Sequence, residues 1–149
     1  MIQWHAKSFT ALSTRELYQF LKLRVDVFVV EQHCPYPELD GYDHHDKLIH
    51  LMGWQDDVLC CYARILPPGL TFDTPSIGRV IVSATARGGQ LGRTLMQQAI
   101  TICQTSWPKH AITIGAQAHL QRFYQSLGFT PISDIYLEDG IPHLDMQLG

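Results

Sequence analysis

The chain has 149 residues, of which 46% are hydrophobic and 17% charged, and its formal net charge is −3. This length fits one domain, residues 1–149, with a hydrophobic core of its own. The low fraction of charged residues excludes a disordered chain that is expanded by charge repulsion. No apolar run reaches the roughly 18 residues of a membrane span, and the start resembles no signal peptide. We therefore expect a cytoplasmic protein with neither membrane nor nucleic-acid partners.

The N-terminal part predicts a strand, a helix and a loop. Residues 2–8 have the composition of a short strand. Ser13 and Glu16 form a capping box, because the hydroxyl and the carboxylate can satisfy reciprocal backbone donors. Apolar residues at helical spacing carry the helix that follows to about Val30. The two prolines of residues 34–37 then predict a loop.

The middle of the chain predicts three strands and a long helix. Residues 50–54 and 58–66 are apolar, partly alternating runs around a short polar turn, which favours an antiparallel hairpin. Residues 77–82 are dense in β-branched side chains and predict a further strand. An apolar stripe that begins at Leu91 predicts a helix ending at Trp107.

The C-terminal part predicts a strand over residues 111–115 and a short amphipathic helix around Tyr124. Gly128 is the expected C-terminal cap of that helix. Two closing strands flank a turn at residues 138–140. The order β-α-β-β-β-α-β-α-β-β is that of a mixed α/β (α+β) domain.

The charges are unevenly distributed along the chain. Residues 74–133 contain five basic residues and no acid, whereas the remainder contains six basic and fourteen acidic residues. Chance segregation in a charge-poor chain is one explanation. The other is that the central segment faces an anionic ligand and the flanks face something cationic.

A glycine-rich turn joins the strand at residues 80–82 to the next helix. Its residues are Arg87, Gly88, Gly89, Gln90, Leu91, Gly92 and Arg93. Glycines allow a ligand to approach the backbone, and the unpaired N–H groups of a helix start attract phosphate oxygens. Such turns are also common without a ligand. The segment matches neither the Walker pattern nor the dinucleotide-binding fingerprint.

A second motif, F-Y-x-x-x-G-F, begins at Phe123. Alone it is typical of a helix packed on a core and capped by glycine. Together with the R-x-x-x-x-G pattern from Arg87 to Gly92, however, it resembles the Gcn5-related N-acetyltransferase (GNAT) superfamily over essentially the whole chain. Residues 24–32, 115–121 and 139–143 are similar to the ElaA-type branch of that superfamily.

The resemblance implies a mostly antiparallel mixed sheet flanked by helices, with splayed central strands that bind acetyl-CoA as cosubstrate. The exposed edge at Val80, Ile81 and Val82 would pair with the pantetheine arm, and the turn from Gly88 to Arg93 would hold the pyrophosphate. Gln90 replaces a usual glycine. Gln117 replaces a frequent asparagine and is the expected equivalent contact.

The resemblance also assigns a catalytic group, because Tyr124 occupies the usual position of the proton donor to the leaving thiol. The alternative is a core tyrosine whose hydroxyl meets a backbone carbonyl. The base that takes the amine proton is less defined. Glu31 is the preferred choice, because it follows the first helix, where the family tends to shape its acceptor pocket. The other candidates are His33, Asp40, Asp43, His44, His45, His50 and His143. Asp43-His44-His45-Asp46 matches no metal-binding pattern, so no metal is expected.

These inferences together predict direct transfer of an acetyl group from acetyl-CoA to the primary amine of a small-molecule or peptide acceptor. The acidic N-terminal half favours a cationic acceptor. A homodimer is expected by analogy alone. A non-catalytic CoA-binding or sensor module is the main alternative, and an acyl-homoserine-lactone synthase type of acyltransferase is a second. The second would need a deep apolar tunnel and a basic docking patch, for which the chain looks short.

Overall fold

The computed structural model describes residues 1–33 and 37–149, so most of the predicted loop at 34–37 lies outside the described residues. The strands are β1 (Gln3–Lys7), β2 (Ile49–Gln55), β3 (Val58–Leu66), β4 (Ser76–Val82), β5 (Ile112–Gln117), β6 (Thr130–Pro131), β7 (Tyr136–Glu138) and β8 (Ile141–Leu148). The α-helices are α1 (Thr14–Arg24), α2 (Leu91–Ser106) and α3 (Gln121–Gln125). The predicted mixed α/β class is confirmed.

Across the described residues the eight strands form one sheet in the order β1-β2-β3-β4-β5-β8-β6, with β7 also paired to β8. The neighbouring strands are antiparallel except for β4 and β5, which run parallel. That parallel pair meets in register at Ser76 and Thr113 alone among the described residues. Beyond this point the two strands diverge, which confirms the expected splay.

The first helix begins as the sequence predicts. The Ser13 hydroxyl accepts a hydrogen bond from the Glu16 N–H at 3.0 Å, and a Glu16 carboxylate oxygen accepts one from the Ser13 N–H at 2.8 Å. After α1 the chain continues as a π-helix over Val25–Glu31. The predicted extent to about Val30 is therefore right, but the last turns are wider than α-helical. This segment contains four valines, whose branched side chains crowd a regular α-helix.

The sheet buries apolar residues on both faces. On one face, α2 and α3 cover a core that includes Leu95, Met96 and Phe129. On the other, α1 covers a second core around Phe20 and Tyr62. From Cys61 to Ile65, alternate residues of β3 enter the two cores, as the period of two in a strand requires. Leu59 joins the core of Tyr62, because the pairing with β2 shifts register between Leu59 and Cys61.

Two details of the C-terminal half differ from the sequence prediction. β5 continues past residue 115 to Gln117, and a two-residue strand, β6, pairs with β8 where no strand was predicted. A strand of two residues leaves no alternating pattern to detect. In the described ranges, no helix is long and apolar enough to cross a membrane.

Candidate active site

A cavity of about 790 Å³ lies where β4 and β5 separate. The β4 residues from Ser76 to Val82 form one wall, and residues of β5, β7 and β8 form another. The π-helical segment contributes residues such as Phe28 and Glu31. The cavity is therefore built from the slot in the sheet and from the segment that follows α1.

The wall on β4 is shaped by an irregularity in its pairing with β3. Tyr62 pairs with Ile81 and Arg64 with Gly78, so two residues of β4 stand opposite one residue of β3. Arg79, one of those two, has a φ of +51°, which an L-residue rarely adopts. Such a bulge bends a strand and redirects its side chains. Val80, the other bulge residue, and Ile81 and Val82 beyond it are the residues expected to meet pantetheine, and all three line the cavity.

The glycine-rich turn lies between β4 and α2, as predicted. Gly88 has a φ of +96°, and an added Cβ at Gly89 would meet nothing within 4 Å, so the backbone there is open to a ligand. Gln90 is the N-cap of α2 with a φ of −96°, which any residue can adopt. The departure from glycine at Gln90 therefore costs the backbone no strain. Residues 88–93 are not among those that line the cavity, but the turn adjoins it at Val82, from which a Cβ on Gly92 would be 3.7 Å.

Arg87 connects this turn to the cavity and to the candidate base. Its Nε donates to the Val82 carbonyl oxygen at 3.0 Å. Its Nη1 donates to both carboxylate oxygens of Glu31, at 2.9 and 3.2 Å. Glu31 and Arg87 both line the cavity, with their side chains about half exposed. Both residues that the sequence analysis named thus line the same cavity, and the structure adds that they pair.

Tyr124 is buried beside two phenylalanine rings, and it lines the cavity. It packs edge to face against Phe123 and Phe129. Its hydroxyl has no hydrogen-bond partner among the described residues, so the alternative of a hydroxyl bonded to a backbone carbonyl is not what the structure shows there. Burial raises the pKa of this phenol to about 12, which keeps it protonated at neutral pH.

Gln117, at the end of β5, also lines the cavity. Its side-chain amide donates to the Gln32 side-chain oxygen at 3.3 Å. This contact joins the end of β5 to the end of the π-helical segment, across the slot. A Gln117 contact with a ligand remains a prediction.

The sequence analysis missed a buried ion-pair network beside the cavity. Arg24 is fully buried and bonds Glu38 at 2.8 Å and Asp43 at 2.7 Å. Arg64 bonds Asp40 at 2.7 Å and Asp43 at 3.1 Å. Arg79 completes the network with a 2.9 Å bond from its Nε to Glu38. The three arginines and three carboxylates anchor the segment after residue 37 to the sheet, and Arg64 and Arg79 also line the cavity.

One signal in the sequence pointed to this network. Arg24 follows Phe20 and Leu21 by four and three residues, so it occupies the apolar stripe of its helix. A charge in such a position is buried only when it is paired. Burial would raise the pKa of Asp43, but its hydrogen bond to Arg24 and its attraction to Arg24 and Arg64 outweigh burial, so that pKa is lowered. The carboxylate is therefore ionised in the folded chain at neutral pH.

His50 connects the network to the second core. Its Nε2 lies 2.8 Å from the Asp43 carbonyl oxygen and its Nδ1 lies 2.6 Å from the Tyr62 hydroxyl. The ring stacks on Phe20. Burial lowers the pKa of His50, so it stays neutral at pH 7 with its Nε2 protonated. In the described part of the chain, no group of three His, Cys, Asp or Glu side chains is arranged to hold a metal ion.

The end of the cavity formed by β7 and β8 carries a second polar cluster. The Tyr136 hydroxyl donates to the Asp145 carboxylate at 2.6 Å and lies close over Gly115, where an added Cβ would be 3.3 Å from it. His143 stacks on Tyr136, with ring centroids 6.2 Å apart, and its Nε2 is 3.5 Å from Glu138. Burial, followed by the bond to Asp145, raises the pKa of Tyr136.

Comparison with known proteins identifies relatives over nearly the whole chain. Residues 22–149 match a family described as "Acetyltransferase (GNAT) domain". Protein ElaA of Escherichia coli K12 is 47% identical over 146 residues, which cover 98% of this chain and 95% of that protein. Its crystal structure matches with a TM-score of 0.95 at 46% identity, covering 100% of both chains.

Two further structures share the fold. An acyl-CoA N-acyltransferase from Pseudomonas aeruginosa matches with a TM-score of 0.96 at 42% identity, covering 100% of both chains. A CoA-dependent acyl-homoserine lactone synthase, BjaI, matches at 0.81 over 99% of this chain and 82% of that one, but at 20% identity the likeness shows the fold alone. The chain therefore belongs to the GNAT acetyltransferase family, an acyltransferase family that binds acyl-CoA, and within it to the ElaA-type branch.

Proposed function

We propose that the chain transfers an acetyl group from acetyl-CoA to the primary amine of a small-molecule or peptide acceptor, by direct attack in a ternary complex. One observation carries the proposal. A single cavity of about 790 Å³ follows the open edge of β4, begins at Arg87 beside the glycine-rich turn and contains Tyr124. The cosubstrate and the acceptor can therefore meet in one space.

The residues present fit acetyl-CoA. The edge of β4 at residues 80–82 is not paired to β5, so it can bond the amides of pantetheine as an added strand would, although the Val82 carbonyl oxygen already accepts from Arg87. The turn at Gly88 and Gly89 leaves room for phosphate oxygens at the start of α2, whose dipole favours anions. Arg93, in the first turn of α2, adds positive charge there.

The acyl transfer itself needs stabilisation of an oxyanion and of a departing thiolate. A backbone N–H near Val82 is the candidate donor to the oxyanion. The Tyr124 phenol, with a pKa of about 12, is a weak acid toward a thiol whose pKa is near 8.5. Complete proton transfer between them would be uphill by about 5 kcal/mol. Tyr124 therefore supports departure as a hydrogen-bond donor to the thiolate.

We still propose a cationic acceptor, but the acidic residues that would attract it are not those of the N-terminal half that the sequence analysis emphasised. Glu38, Asp40 and Asp43 belong to the acidic N-terminal half, yet all three are bound to arginines. The acids in the cavity lining are instead Glu31, which is paired with Arg87, and Glu138 and Asp139 at the turn between β7 and β8.

The test is a turnover screen of acetyl-CoA against amines, run beside calorimetric titration with CoA. Arg93→Met should weaken CoA binding several-fold, because it removes a charge at the start of α2. Lys109→Met removes the same charge from an exposed position after α2 and is the matched control. Failure to bind CoA would refute the proposal. Binding without turnover of any amine would favour the alternative of a CoA-binding module.

The panel should pair cationic acceptors, such as polyamines, basic peptide ends and amino sugars, with neutral and acidic amines of similar size. Turnover that is indifferent to acceptor charge would contradict the cationic preference. The proposal also includes a homodimer, which light scattering checks, and a cytoplasmic location. Glu31 remains a candidate for the base, and a second candidate is set against it below.

A further inference from the structure

The cluster on β7 and β8 contains an imidazole in the cavity wall. His143 pairs in register with Tyr136 on β7 and with Gln117 on β5. All three side chains line the cavity. The helical turn at residues 118–120 adds His119 to the same wall. Tyr136 and Glu138 are thus the titratable groups that β7 presents to His143, whereas Gln117 is uncharged.

A hydrogen bond fixes which nitrogen of His143 carries the proton. Its Nδ1 lies 2.7 Å from the carbonyl oxygen of Ile141. A carbonyl oxygen can only accept, so Nδ1 must be the donor. In the neutral ring the hydrogen is therefore on Nδ1, and the lone pair is on Nε2. His143 is buried, so this bond is not exchanged freely for water.

The partner of Nε2 is a carboxylate. Glu138 Oε2 lies 3.5 Å from Nε2, and the Glu138 side chain is 59% exposed. A bare Nε2 and a carboxylate are both acceptors, so they cannot bond each other while the ring is neutral. Once Nε2 takes a proton, the same contact becomes an attractive ion pair. The arrangement thus favours arrival of a proton at this atom.

The reaction supplies that proton. A primary amine is mostly an ammonium ion at pH 7 and must lose a proton before it can attack. Glu31, the other candidate, already accepts hydrogen bonds from Arg87 at both of its carboxylate oxygens. His143 offers an unshared lone pair in the cavity instead. Asp145 holds Tyr136, on which the imidazole stacks, and so keeps the ring in place.

Building on the proposed function, we propose that His143 is the general base of the transfer and that Glu138 stabilises its protonated form. The acceptor ammonium gives one proton to Nε2, and the nitrogen lone pair forms the C–N bond to the acyl carbon. The C–S bond breaks, its electron pair leaves with sulfur, and the nitrogen's second proton passes to the thiolate that Tyr124 holds. The first proton then leaves Nε2 to solvent, past the exposed Glu138.

One arm of the test needs no acceptor. Long-range ¹H–¹⁵N NMR of ¹⁵N-histidine protein, with His143→Gln to assign the resonances, identifies the tautomer. For the neutral ring we expect a protonated Nδ1 and a bare Nε2. A protonated Nε2 with a bare Nδ1 would overturn the proposal, whether or not any amine is acetylated.

The second arm measures kcat against pH for the amine that the screen turns over best. His143→Gln should lower kcat by about 10² to 10³ at pH 7 while the KM for acetyl-CoA changes less than threefold. The deficit should narrow as pH rises, because more of the free amine is then neutral in solution. His110→Gln, at an exposed position after α2, is the matched control and should leave kcat unchanged.

The remaining variants separate the possible outcomes. Glu138→Gln removes the carboxylate beside Nε2, so kcat should fall while the KM for acetyl-CoA changes less than twofold. A large, pH-dependent loss in Glu31→Gln with none in His143→Gln would assign the base to Glu31 and overturn the proposal. A screen in which no amine is acetylated would refute the proposed function, and this proposal with it.

Discussion

Replacement of Arg24 by methionine removes the centre of the buried ion-pair network while keeping a long apolar stem in the helix. Arg24 donates to the Glu38 carboxylate, to the Asp43 carboxylate and to the Glu38 backbone carbonyl, at 2.8, 2.7 and 3.0 Å. Removing one partner of a buried ion pair typically costs 3–5 kcal/mol, because the other charge is left without compensation.

The structure places the expected cost at the lower end of that range. Glu38 keeps its bond to Arg79, and Asp43 keeps its bond to Arg64. We therefore expect Arg24→Met to lower the free energy of unfolding by about 3 kcal/mol. For a chain of this length that corresponds to a fall in Tm of roughly 6–12 °C.

Urea unfolding, followed by circular dichroism at pH 7, measures this cost. Lys22→Met is the matched control, because Lys22 lies on the same helix and bonds Asp26 at 2.7 Å in an exposed pair. The control should lose far less, since exposed pairs contribute little. If Arg24→Met were no less stable than Lys22→Met, the network would not be what holds the segment after residue 37.

Three further outcomes are expected. Tyr124→Phe should lower turnover several-fold or more, because it removes a hydrogen-bond donor to the thiolate. It should leave the affinity for CoA within about twofold, because the ring and its packing are kept. Loss of CoA binding, measured by calorimetry, would indicate a packing role instead. Burial alone would raise the pKa values of Asp40 and Asp43. Their hydrogen bonds and charge attraction to arginine side chains outweigh burial, so both pKa values are lowered. Groups with a lowered folded pKa stabilise the chain above their unfolded pKa of about 3.9. Burial lowers the pKa of His50 as well, so stability should also be lost as pH falls through the unfolded histidine pKa of about 6.5. The urea midpoint should therefore fall modestly between pH 7 and 5 and fall further below pH 4, and no further fall below pH 4 would contradict the assignment of the two carboxylates. Gly88→Ala should lower the free energy of unfolding by about 1 kcal/mol, because φ is +96° at this position. Gly89→Ala should change it little, because Gly89 has no positive φ and open space around it. Equal losses of stability in thermal melts of the two variants would refute this backbone explanation.

The sequence predicted the order of the main elements because local signals defined them. The capping box at Ser13, the β-branched run before Val82 and the glycine at residue 128 each act through neighbours in the chain, and each lies where it was expected. The turn from β4 through Arg87 into α2 also lies where local sequence signals predicted it, and the family resemblance indicated the same turn.

The parts of the site that were missed depend on contacts between distant segments. Arg79 meets Glu38 across 41 residues, and Arg87 meets Glu31 across 56. The charge asymmetry along the chain was real, but it did not show which charges neutralise each other. The hydrogen bond that sets the tautomer of His143 likewise depends on how the strand after Gly140 turns back, which no local pattern specifies.

The gap between β4 and β5 has a mechanical consequence. Among the described residues, the bridge from Ser76 to Thr113 is the one registered link between the half-sheet of β1–β4 and the half-sheet of β5–β8. Beyond it the halves are held by helix packing and side chains, including the contact of Gln117 with Gln32. An extended ligand lying along β4 would act as a missing strand. We expect such a ligand to slow amide hydrogen exchange along the facing edges of β4 and β5. The two loosely coupled halves of the sheet would then behave as one body.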